Sequence, residues 1–174
     1  MKKKIISILL ICSMLFTILP TGAAFASGTV VASGVCGSNN SVHWQLTDDG
    51  ILTVGGKGAI ENNVKPWNDY LPDVTKIVIE DGITSIGAHT FHYVMNGLSK
   101  NNLSTKTIEM ADSVTSIGRF AFADCTVLES ICFSKKLTTI AASAFQGATS
   151  LERHFSVGLS LADVTLTARQ QICF

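Results

Sequence analysis

The chain has 174 residues, with 13 basic and 13 acidic side chains and a formal charge of zero. That length allows one domain with a core of its own. The lack of a basic excess argues against a nucleic-acid partner.

The first predicted element is a leader. Lys2, Lys3 and Lys4 precede an uncharged, mostly apolar run over residues 5–19. Pro20 follows, and Ala24-Phe25-Ala26 supplies a small-x-small pattern before Ser27. This layout predicts a secretory signal peptide over residues 1–26. The 15-residue apolar run is shorter than the roughly 20 residues that cross a bilayer. Its removal leaves 10 basic and 13 acidic residues, a net of −3. No membrane span is expected after cleavage. Four cysteines then remain, Cys36, Cys125, Cys132 and Cys173, without a Cys-x-x-Cys spacing.

Residues 27–73 form the second predicted element, an N-terminal β region. HWQLT-DDG-ILTV is two alternating apolar runs around an Asp-Gly turn, which predicts a β-hairpin. Leu46, Ile51 or Leu52, and Val54 are expected to face the next element. Trp67 and Tyr70, after Pro66, are expected to pack this region onto that same element. The hairpin would then cap a stack that otherwise exposes its first apolar row.

The third element, residues 74–151, is repetitive. The phrases GITSIGAHTF, SVTSIGRFAF and KLTTIAASAF end at Phe91, Phe122 and Phe145, at intervals of 31 and 23. Four other apolar positions keep those intervals. They are Ile77, Ile108 and Ile131; Ile79, Met110 and Phe133; Ile83, Val114 and Leu137; and Ile86, Ile117 and Ile140. Positions two apart lie on one face of a strand. Each unit therefore reads as strand, turn, strand, turn. A second extended piece is expected through residues 114–117, a bend at Gly87 or Gly118, and one helical turn through Ala-Phe-Ala-Asp. Stacking the units about 4.8 Å apart buries the apolar positions as ladders. The longer first interval places an eight-residue insert, read as a surface loop, between Phe91 and Thr105.

The phrase L-x-x-I-x-F…L-x-x-I-x-x-x-A-F, over residues 128–145, resembles the BspA-like leucine-rich repeats of bacterial surface proteins. SVTSIGRFAFADC is similar to their core signature. SGVCG, DDGILTVGGKG and PWNDY also resemble the segment that often precedes such repeats. The likeness covers residues 33–151. The expected fold is a mostly β repeat solenoid, a stack of short parallel strands with short helical turns, preceded by the hairpin cap. The resemblance implies a secreted or bacterial cell-surface location, a binding role and no catalytic residue.

The pattern fails from His154, and residues 152–174 are expected to be a diverged or aberrant tail of low order, apart from a strand near residues 164–167. The alternative is a truncated or frameshifted, non-catalytic repeat module of a larger secreted protein or enzyme. An open last unit would allow self-association.

Other motifs are weaker. His89-x-x-His92 suits a metal pair on a helix, but no third ligand is evident and a loop setting is expected, so two solvated polar side chains are the simpler reading. Cys125 falls on an inward position and Cys132 on an outward one, so a bridge between them is not expected. Asp48-Asp49 and Glu80-Asp81 each precede a glycine, where acids start turns. No metal, cofactor or catalytic residue is expected. The expected binding face is the outward side of the strands: Lys76, Val78, Glu80, Thr107, Glu109, Ser130, Cys132 and Ser134. The expected partner is an extracellular protein or glycan.

Overall fold

The structure is a computed structural model, and it describes residues 28–37, 40–92, 94–95, 98–99 and 104–154. The expected signal peptide, Cys173 and the tail from residue 155 lie outside the described residues.

The fold is mostly β. Strands β1 (Val30–Cys36), β2 (Val42–Thr47) and β3 (Ile51–Gly56) pair antiparallel in that order. The β2–β3 hairpin is the expected one, and Gly50 takes a left-handed φ of 81° in its turn. β3 then pairs parallel with β5 (Lys76–Ile79), β5 with β9 (Thr107–Met110), and β9 with β11 (Ser130–Cys132). These six strands form one sheet. A second, all-parallel sheet joins β4 (Gly58–Ile60), β6 (Ile83–Ile86), β10 (Ser116–Ile117) and β12 (Thr139–Ile140).

The residues between the sheets explain both. Leu52, Ile77, Ile108 and Ile131 lie in register on the inner face of the first sheet. Ile60, Ile86, Ile117 and Ile140 do so in the second. All join one hydrophobic cluster. Val54, Ile79, Ile83, Phe91, Met110, Val114, Phe122 and Phe145 are buried with them. Phe133, Leu137 and Ile140, in the last unit, are only partly buried. Aromatic rings form a column through this core. Trp67, Phe91, Phe122 and Phe145 stack at centroid separations of 5.2, 5.0 and 5.3 Å, with interplanar angles of 15°, 2° and 9°. Such offset stacks add to the large apolar area each ring removes from water.

The region before the repeats supplies more than a hairpin. β3 and β4 place one strand in each sheet, as a repeat unit does, and Trp67 takes the ring position at the head of the column. Its indole N–H donates to the Thr90 carbonyl at 3.0 Å, fixing it against the first unit. Tyr70 packs on Trp44 at 5.9 Å but stays 41% exposed.

Two expectations need correction. Gly87 and Gly118 are not bends, because neither has a left-handed φ. They are sites of close approach. A Cβ at Gly118 would lie 2.5 Å from the Ala88 nitrogen, and one at Gly87 would lie 2.5 Å from the Glu61 carbonyl. The left-handed residues sit two places later, at His89, Phe120 and Ser143, with φ of 58°, 55° and 62°. Second, the Ala-Phe-Ala-Asp segment is not helical. It is a run of turns, since left-handed Phe120 and Asp124 (φ 61°) prevent a right-handed helix from propagating. Leu151, 23 residues after buried Leu128, is buried on a short helix, α1 (Thr149–His154). In the insert, β7 (Val94–Met95) and β8 (Leu98–Ser99) pair antiparallel. Its other residues from 93 to 103 lie outside the described residues.

Candidate binding face

Strand alternation sends one set of side chains to the core and the other to the outside of the six-stranded sheet. The outward set falls in rows across β5, β9 and β11. Lys76, Thr107 and Ser130 are in register, as are Val78, Glu109 and Cys132. All six are half-buried, as neighbours about 4.8 Å apart cover one another's flanks. The Lys76 ammonium meets the Glu109 carboxylate at 2.7 Å, crossing from one row to the next. The Ser130 hydroxyl donates to Thr107 Oγ1 at 3.3 Å. At one margin Glu80 and His43 approach to 3.8 Å over Gly55, whose missing side chain leaves them room.

Ser134 does not belong to this face. It is 5% exposed, and its hydroxyl accepts the Lys136 N–H at 3.1 Å. β11 ends at Cys132, so the two-residue alternation stops before Ser134 and the side chain turns inward to hold a turn.

A second surface was not legible as a site. The outside of the four-stranded sheet forms an open groove, with Ser85, Ser116 and Thr139 in register along it. Gly87, Gly118 and Ala141 keep its floor low. Its signal in the sequence is the repeated Thr-Ser-Ile, Thr-Ser-Ile and Thr-Thr-Ile triplets, of which only the isoleucines enter the ladders.

Cys36, Cys125 and Cys132 occupy the expected environments. No disulfide joins Cys36, Cys125 or Cys132. Cys36 is half-buried, and burial, reinforced by the charge of Glu61, pushes its thiol upward. Cys125 is 1% exposed, and burial, with a smaller contribution from Asp124, pushes its thiol up to about 12 from 9.0. In the unfolded chain the thiol would ionise first. This thiol therefore leaves stability unchanged below about pH 9 and lowers it as pH rises from there towards 12. One such group contributes a slope of about 1.4 kcal/mol per pH unit. Urea titrations between about pH 8 and pH 11 are expected to show this fall, and Cys125→Ala to flatten it. An unchanged slope in the variant would exclude Cys125 as its source.

The ladders and paired parallel sheets define a leucine-rich repeat module. Residues 69–153 match the family model described as BspA type leucine rich repeat region, in six copies, and this segment is a BspA-type repeat region. No curated protein matches the chain. Among solved structures, a leucine-rich repeat protein from Eubacterium ventriosum is 31% identical over 67% of this chain, with a TM-score of 0.56. The chain spans 30% of that protein's length. A leucine rich cell surface protein from Faecalibacterium prausnitzii is 21% identical over 73% of this chain and 36% of its own, with a TM-score of 0.41.

Proposed function

We propose that the chain is a secreted or surface-associated, non-catalytic solenoid that binds an extracellular protein or glycan, with β1–β3 as its N-terminal cap. The observation that carries this reading is the row structure of the six-stranded sheet. Lys76, Thr107, Ser130, Val78, Glu109 and Cys132 form a broad, mixed face held by a rigid scaffold. Such a face fits an extended or flat partner better than an enclosed small molecule.

The family supports a surface setting, because BspA-like repeats occur in bacterial surface proteins. Among the described residues no helix is long and apolar enough to cross a membrane. The test is capture of matrix proteins and arrayed glycans by the purified protein. The double variant Lys76→Ala/Glu109→Ala is expected to weaken a captured interaction at least tenfold while leaving the melting temperature within a few degrees. Equal binding by the variant would remove this face from the proposal. Light scattering over a concentration series in the same preparation tests self-association through the last unit, where Phe133, Leu137 and Ile140 are partly exposed. A constant monomer mass would exclude it.

A further inference from the structure

His89 and His92 are the residues that the repeat explains least. The equivalent places in the next unit hold Phe120 and Ala123, and in the last unit Ser143 and Gln146. The histidines belong to one unit only, so neither ladder packing nor turn geometry calls for imidazole there. Yet both rings are held. His89 sits in the left-handed region, at φ 58°, and its ring stacks on Phe120 at 5.1 Å. Its backbone N–H donates to the Arg119 carbonyl at 3.1 Å, tying it to the following unit. His92 lies 3.2 Å from Asp124 through Nε2, and 3.2 Å from His89 through Nδ1 on both rings.

The carboxylate decides the tautomer. Asp124 accepts, so His92 carries its proton on Nε2 and presents the lone pair of Nδ1 to His89. His89 then donates from Nδ1, and its other tautomer holds that proton on Nε2. Moving it leaves two Nδ1 lone pairs 3.2 Å apart. Two nitrogens bound to one ion at about 2.0–2.1 Å, across a near-tetrahedral angle, lie about 3.1–3.4 Å apart. A carboxylate on the far nitrogen is also the usual support of a metal-bound imidazole.

The geometry points to a divalent transition-metal site made by His89 Nδ1 and His92 Nδ1, with Asp124 as the residue that orients His92. Among the described residues no third His, Cys, Asp or Glu completes a cluster, so water fills the remaining positions. The donor atoms, two imidazole nitrogens, select the ion. Lys65, whose ammonium donates to the His92 carbonyl at 3.0 Å, and Arg119, over the Phe120 ring, both oppose a cation. Calcium and magnesium, which need oxygen ligands, are disfavoured, whereas imidazole suits copper, nickel and zinc. Burial first, then the charges of His92, Lys65 and Arg119, hold His89 below its ordinary value.

The test is calorimetric titration of the metal-stripped protein with Ni(II) and Zn(II), alongside imidazole nitrogen shifts by NMR. One saturable site per chain is expected, with both Nδ1 signals shifted. His92→Gln abolishes it, and Asp124→Asn weakens it about 10–100-fold. His43→Gln and His154→Gln leave it unchanged. His89→Asn, which tolerates the left-handed backbone, also abolishes it and decides the matter if His92→Gln does not fold. No saturable site, or one that survives His89→Asn, overturns the proposal.

Discussion

Phe122→Ala is expected to be the most damaging single substitution in the chain. Phe122 is fully buried at the middle of the ring column, stacked on Phe91 at 5.0 Å and on Phe145 at 5.3 Å. Truncation removes its own burial and strands a face of each neighbour beside a cavity. Buried Phe→Ala changes cost about 3–5 kcal/mol, a large part of the roughly 5–15 kcal/mol that holds a typical domain together. For a chain of this size the midpoint of thermal unfolding should fall by about 10 °C or more. Calorimetry or circular dichroism reads this directly. A loss under about 1 kcal/mol would mean that the column is not a continuous packed element. Phe145→Ala is expected to cost less, since Phe145 is at the end of the column and retains 5% exposure.

Gly118→Val carries the second large effect. The nearest atoms to an added Cβ are all backbone, with the Ala88 nitrogen at 2.5 Å and the Gly87 carbonyl carbon at 2.7 Å. No side chain can swing away, so adjacent units must separate. The Gly118 N–H also donates to the Ile86 carbonyl at 2.7 Å, and separation would stretch that bond. Overpacking of this kind costs about 1–3 kcal/mol. Hydrogen exchange should show the loss concentrated in β6 and β10. The last unit already carries Ala141 at the equivalent place, so Ala141→Gly should change stability by less than about 1 kcal/mol. A neutral Gly118→Val would return the residue to the role of a simple flexible link.

These two residues also show how the sequence could and could not be read. The ladders were legible because each apolar position recurs at the same offsets, and a burial requirement that repeats leaves a periodic trace. Phe122 follows from that trace alone. Gly118 was visible as a small residue, but its reason was not. A glycine that allows a turn and one that makes room for a neighbour look the same in a string. Ser134 was misplaced by extending strand alternation two residues beyond the point where β11 ends. β4, and the place of Trp67 in the ring column, escaped because their unit lacks the repeated phrase, although the packing of Trp67 onto the repeats was legible. Leu52 and Ile60 are eight apart where Ile77 and Ile86 are nine apart, and a register shift between Gly58 and Ala59 absorbs the difference. Asp124 lies 32 residues beyond His92. Only the first interval of 31 residues, applied as a ruler to the polar residues as well as the apolar ones, could have brought them together.

The six-stranded sheet changes sense once, at β3. Its antiparallel strands lie on one side only, and from β3 onward every neighbour runs the same way. A 23-residue unit could therefore be added or removed between β9 and β11 without altering the pairing at either edge. Each such change moves the two edges by one strand spacing, about 4.8 Å, and adds or deletes one column of outward side chains. Length in this architecture is adjustable in equal steps, independently of the residues displayed. Evolution can thus set the span of such a stack separately from the chemistry of the face it presents.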